Sequence, residues 1–143
     1  MTATPRRRRS AACSLGAAAI LGVLSAYQTG LLRHLPDLPG RVFDADLVDG
    51  SGEAYWVLSA ADAPLGMTSF ALTAALAGDR RLTRAWTAKA AVDAAYAVAL
   101  AVEQPVRFRR LCAYCLAVTG LALAAFRLAL GESTATPPVP PAG

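Results

Sequence analysis

From Ser10 to Leu32, between Arg9 and Arg33, the chain runs for 23 residues without a charged side chain. About 20 apolar residues in helical form cross a bilayer core roughly 30 Å thick. This run therefore predicts a membrane span, and the composition agrees with it. Of the 143 residues, 55% are hydrophobic and 17% charged, with a mean hydropathy of +0.41. Soluble domains carry about 25% charged residues, so a chain this poor in charge cannot clothe a water-facing surface. The apolar content also excludes disorder over most of the length. The net charge of +4 does not point to nucleic acid, because the arginines lie in short clusters beside apolar segments. The expected surroundings are membrane lipid, with no nucleic-acid partner.

Three further spans follow. The second starts near Asp62 and Pro64 and runs to Gly78. The third covers Ala85 to Val102 and is interrupted by Lys89 and Asp93. The fourth covers Leu111 to Leu130, with Arg127 close enough to its end to snorkel to the headgroups. Loop charge orients the spans, since basic loops stay in the cytoplasm. Arg6 to Arg9 precede the first span, and the turn Asp79 to Arg84 holds three arginines against one aspartate. The segment Arg33 to Asp62 holds two arginines against six acids. These segments place the N-terminus in the cytoplasm of a multi-pass cell-membrane protein. Arg107, Arg109 and Arg110 break the pattern, because an even number of crossings puts them outside.

The expected fold is thus all-α, a bundle of four transmembrane helices. Residues 1–10 read as a basic cytoplasmic tail, 11–130 as the membrane domain and 131–143 as a disordered, Pro-rich tail ending in TPPVPPAG. Four arginines before an apolar run also describe an export signal. The run is longer than a signal's apolar core, however, and Leu24-Ser25-Ala26 is a poor cleavage site, which favours an uncleaved span. Lys89 and Asp93, four apart, share a helix face and read as a structural ion pair in preference to a proton relay.

The chemical signal is Cys112-Ala113-Tyr114-Cys115 at the start of the fourth span. A helix N-terminus favours a thiolate, because its free N–H groups carry partial positive charge. On the outer, oxidising side such a pair is suited to two-electron dithiol–disulfide chemistry. Packing cysteines are the plainer alternative. No metal is expected, since zinc takes about four ligands and the other cysteine and histidine candidates are Cys13 and His34. Haem attachment needs a histidine where Leu116 stands. Cys13 lies about 30 Å of helix rise from the pair, beyond the ~7 Å of a disulfide, and reads as a packing residue.

At this point the sequence resembles the vitamin K epoxide reductase family. The features come in the family's order: a basic N-terminus and first span, an outer loop ending in GEAYWVLSAADAPLGM, a cytoplasmic turn, and a last span opening with LCAYCLAVTGLALAAF. The resemblance covers about residues 11–130 and is specific around 53–67 and 111–126. It implies a four-helix membrane domain with a short outer-face helix in the first loop. It also implies a membrane thiol–disulfide oxidoreductase that couples the CxxC to quinone reduction and supports disulfide formation in exported proteins.

By that resemblance Cys115, deeper along its helix, faces the quinone, while Cys112 exchanges with a thioredoxin-like thiol partner on the outer face. Quinone is the expected substrate or electron acceptor. A quinone pocket needs apolar walls and one or two hydrogen-bond donors. Tyr55, Trp56 and Leu58 could form a lid, or anchor at the membrane interface. Tyr114 and Thr119 are further quinone-binding candidates, and the Thr119 hydroxyl could instead bond its own helix backbone. The family's second cysteine pair, in the first outer loop, is missing. No cysteine lies between Cys13 and Cys112, and Asp44, Asp46, Asp49 and Ser51 occupy that stretch. Either a partner exchanges directly with Cys112, or the chain is a non-catalytic membrane subunit or scaffold that retains the fold.

Overall fold

A computed structural model describes residues 3–50 and 62–135. Five α-helices lie in that part: α1 (Pro5–Gln28), α2 (Ala45–Asp49), α3 (Asp62–Leu76), α4 (Thr83–Glu103) and α5 (Ala113–Ala135). No strand forms among the described residues; one isolated parallel bridge pairs Phe43 with Leu111. The membrane class is shown by three helical stretches long and apolar enough to cross a bilayer. They are Pro5–Gln28, Arg80–Phe108 (α4 with the turns at its two ends) and Ala113–Ala135. Only 28%, 28% and 22% of these apolar windows are buried inside the protein. Outward side chains such as Leu15, Val23, Val92, Leu116 and Leu123 are exposed. A surface this apolar is stable facing lipid and unstable facing water.

α1 is set by its start. Thr4 caps it, its hydroxyl accepting from the Arg7 N–H at 3.3 Å, and Pro5 occupies the first turn, where a missing N–H costs nothing. The helix begins five residues before the uncharged run and takes in Arg6 to Arg9, and it stops at Gln28 rather than Leu32. Gly30 at φ +82° turns the chain out of the helix. At the other end of the protein, α5 continues through Gly131 to Ala135. Both helices therefore overrun the sequence boundaries drawn at 10/11 and 130/131. The TPPVPPAG tail lies outside the described residues.

The helices run alternately up and down. Gln28 at the end of α1 donates to Asp62 at the start of α3 at 2.7 Å. At the opposite end Arg7 donates to the carbonyls of Ala77 and Asp79, both at 2.9 Å, and to the Thr83 hydroxyl. The same guanidinium lies 3.5 Å from Glu132 and 4.7 Å from the Trp86 ring centre. One buried arginine thus ties the starts of α1 and α4 to the ends of α3 and α5. It also puts the basic N-terminus and the Asp79–Arg84 turn at the same end, as the loop charges predict. α1 packs closely on α3 and on α5, and α5 packs on α4. Small residues make that closeness possible: Ala17, Ala18, Ala94, Ala97 and Ala122 form the central cluster with Phe70 and Val118.

Within the described residues α3 has 15 residues, about 22 Å of rise, against a ~30 Å hydrocarbon core. The outer-loop helix expected from GEAYWVLSAADAPLGM falls mainly on residues 51–61, outside the described residues. The short α2 lies upstream of it.

Candidate functional site

The sulfur pair sits where α5 begins. A π-helical turn, Gln104–Phe108, follows α4, and Arg109 closes it in the left-handed region at φ 52°. The chain then pairs with the first loop: the Leu111 N–H donates to Val42 O at 2.8 Å and the Asp44 N–H donates to Leu111 O at 3.0 Å. These two bonds fix the residue immediately before Cys112. The Cys112 N–H donates to Gln104 Oε1 at 2.9 Å. The Cys112 sulfur in turn accepts from the Cys115 N–H at 3.3 Å. Cys112 is therefore the N-cap of α5, with its sulfur in the place that a serine or threonine oxygen usually takes. The first-turn N–H aims partial positive charge at that sulfur. The three cysteines of the chain are all free thiols.

Across from the pair stands Asp49, the last residue of α2. Cys112 Sγ lies 2.9 Å from Asp49 Oδ2, and Cys115 Sγ lies 3.6 Å from Oδ1. α2 is held by several independent bonds. Asp44 caps it by accepting from the Leu47 N–H at 2.9 Å, and Asp37 accepts from the Ala45 N–H at 2.6 Å. Asp46 accepts from the Leu35 N–H at 3.0 Å and pairs with His34. The Tyr27 hydroxyl and the Gln28 amide of α1 donate to the carbonyls of Asp46 and Asp49 at 3.3 and 3.5 Å. Asp49 is buried, and this burial, reinforced by the charges of Asp62 and Asp37, pushes its carboxyl up from 3.8 to about 6; the thiol hydrogen bonds pull the other way. The ligand atoms of Asp49, Cys112 and Cys115 lie within 4.8 Å of one another. Among the described residues no fourth such side chain joins them, and a closed zinc site takes four. The Cys112 thiol donates to Asp49 Oδ2 across this 2.9 Å contact.

A cavity of about 330 Å³ opens beside the pair, at the small end of the range for ligand pockets. Its walls are mainly apolar, from Leu21, Leu24, Phe70, Ala97, Leu100 and Val118. Asp49 and Cys115 line it at one place, and Asp62, Ser69, Asp93, Tyr96 and Thr119 add polar atoms elsewhere. Cys112 does not line it and is fully buried, packed with Leu24, Leu35, Ala45, Val48 and Ala63. The two sulfurs therefore differ in access. Cys115 faces the cavity, while Cys112 is closed off beneath the first loop. Cys112, the sulfur that the resemblance assigns to exchange with an outside thiol partner, is thus buried.

The structure brings together only part of the sequence-predicted set. Thr119 lines the cavity, but its hydroxyl lies 2.8 Å from Cys115 O and 3.1 Å from Ala97 O. Its single proton is thus engaged by backbone. Tyr114 points to the loop, its hydroxyl donating to Pro36 O at 2.7 Å, and it is absent from the cavity wall. Tyr55, Trp56 and Leu58 lie outside the described residues. Cys13 is remote from the pair and half-buried. Asp49 and Gln104 were not singled out from sequence as site residues. The one available signal for Asp49 was an acid in the loop stretch where the resemblance leads one to look for sulfur.

Fold and site together define a small helical membrane protein with a dithiol set beside a mainly apolar cavity. Residues 9–130 match the sequence model of the vitamin K epoxide reductase family. The match covers most of the chain, and the protein belongs to that family. Membership points to membrane thiol–disulfide redox chemistry. No significant match was found among curated proteins or solved structures.

Proposed function

We propose that the protein is a membrane thiol–disulfide oxidoreductase that passes two electrons from the Cys112–Cys115 dithiol to a quinone bound in the cavity. The observation that carries this reading is the placement of Cys115. Its sulfur lines an apolar cavity and lies one helical turn from a second free thiol. A quinone ring is apolar and needs such walls. In this reading α3 serves as a fourth crossing, the N-terminus is cytoplasmic, and the sulfur pair lies near the outer face of the cell membrane. Tyr55, Trp56 and Leu58 of the outer loop are carried over as quinone-binding candidates from the family resemblance.

Oxidation joins the two sulfurs and yields quinol. A thioredoxin-like protein on the outer face then reduces Cys112, the sulfur nearer the start of α5, and is itself oxidised. In this way the chain supports disulfide formation in exported proteins. Because Cys112 is buried, exchange with that partner requires α2 and its loop to move aside.

The burial of Cys112 and the lack of loop cysteines favour a second reading, a non-catalytic membrane subunit that keeps the fold. Quinol formation by the detergent-solubilised full chain, with a dithiol as electron donor, separates the two. The oxidoreductase reading expects turnover by the native chain and none by Cys112→Ser or Cys115→Ser. Native-rate turnover by the doubly substituted chain overturns it.

A further inference from the structure

Forming a disulfide from two thiols releases two protons. At most sites water takes them, but Cys112 has no solvent exposure. Its proton needs an acceptor within the protein, and among the described residues the carboxylate in contact with it is Asp49, with Oδ2 2.9 Å from Sγ. The Asp49 carboxyl also lines the cavity that Cys115 faces. One side chain therefore touches the enclosed sulfur and opens on the space proposed for the electron acceptor.

We propose that Asp49 is a catalytic base of the dithiol, taking the Cys112 proton as the disulfide forms and delivering it to the quinone side. The inference rests on the redox reading above and adds a residue to it. The step balances. The Cys112 S–H bond breaks, with its proton going to Asp49 Oδ2. The Cys112 electron pair makes the S–S bond as the Cys115 S–H bond breaks. Two electrons pass to the quinone. The Cys115 proton and the proton held on Asp49 complete the quinol, which leaves Asp49 ionised for the next turnover.

The surroundings suit this task. Among the described residues, the titratable and charged groups that face Asp49 are the two thiols of α5, Asp62 at the start of α3 and Asp37 of the loop. α1 contributes the neutral Gln28. Anionic neighbours and burial strengthen a carboxylate as a base. With the group at about 6, it is largely ionised at neutral pH yet holds a proton far better than an exposed aspartate. The bonds that anchor α2 keep the carboxylate in place.

The test is the rate at which a short-chain benzoquinone oxidises the fully reduced, detergent-solubilised chain to its disulfide, measured from pH 5 to pH 10. The native rate should rise through about pH 6, where Asp49 ionises, and then level. Asp49→Asn keeps the shape and removes the base. It should be about 100-fold slower at pH 7, within the usual 10²–10⁴ of general-base assistance, and should lose the rise through about pH 6. Asp49→Glu should restore the low-pH limb of the profile. Asn and native chains with the same rate and profile would overturn the proposal. So would an Asn chain that is uniformly slower with the native profile, which would mark Asp49 as structural. If the native chain is not oxidised by the quinone at any pH, the redox reading itself fails, a result distinct from either.

Discussion

The Asp49 carboxylate stands 2.9 Å from the Cys112 sulfur, although 63 residues separate the two along the chain. The first loop thus reaches the CxxC with oxygen where the family resemblance leads one to look for sulfur. The contact sets the exposure of Cys112, the charge beside it and the route by which a partner can reach it.

The loop's hold on the pair depends on Gly50. This residue ends α2, and its N–H donates to Asp46 O at 3.0 Å. A Cβ placed there would stand 2.6 Å from Asp46 O and 3.0 Å from the Tyr27 hydroxyl oxygen. Neither the helix carbonyl nor the α1 tyrosine can give way cheaply. Overpacking of this kind costs roughly 1–3 kcal/mol. Gly50→Ala should therefore dislodge α2 and speed maleimide labelling of Cys112 by about tenfold or more, since ~1.4 kcal/mol is tenfold in an opening equilibrium. Labelling of Cys112 at the native rate would show that α2 does not guard it.

Asp49 should leave a mark on stability. Its carboxyl is raised in the folded chain, from 3.8 to about 6, chiefly by burial. A raised acid favours folding while it is protonated in both states. That contribution is whole below about pH 3.8 and is lost as pH rises through about 6. The size is on the order of 2–3 kcal/mol for a shift of this extent. The native chain should thus lose thermal stability relative to Asp49→Asn between about pH 4 and pH 6, with the difference constant above that window. Parallel melting curves in detergent across this range would contradict the assigned burial.

The Lys89–Asp93 pair has a structural explanation. Lys89 Nζ lies 2.5 Å from Asp93 Oδ1 and 2.6 Å from the Ser69 hydroxyl, and Asp93 also accepts from Ser69 and Thr73. The cluster joins α3 to α4, a pair of helices with otherwise slight contact. Removing one member strands the other charge in a low-dielectric interior, at roughly 3–5 kcal/mol for a buried pair. Asp93→Ala should lower the melting temperature in detergent far more than the joint replacement Lys89→Met with Asp93→Leu. Equal losses from the single and joint replacements would show that the ion pair is not what joins the helices.

Much of this was legible in the sequence. α1, α4 and α5 follow from runs of apolar residues long enough for a bilayer, and the shared end of Arg6–Arg9 and the Asp79–Arg84 turn follows from loop charge. The site's chemistry was legible in Cys112 and Cys115, because a CxxC is a local pattern. Asp49 was hidden because its role arises from a contact between distant segments, and five other acids in the same stretch look alike by sequence. Tyr114 and Thr119 carry the right atoms for a quinone, but neighbouring backbone carbonyls engage their hydroxyls. α3 was legible as well: its described extent, Asp62–Leu76, ends two residues short of the Asp62-to-Gly78 segment read from the sequence.

The stoichiometry of one reaction tests the redox role of the Cys112–Cys115 pair most directly. The reduced native chain, reconstituted in lipid nanodiscs, is mixed with one equivalent of a benzoquinone under anaerobic conditions, quenched in acid and mapped by mass spectrometry. One Cys112–Cys115 disulfide should appear for each quinol formed, while Cys13 remains a thiol. Quinone that stays oxidised beside two free sulfurs, or a disulfide that involves Cys13, would contradict it.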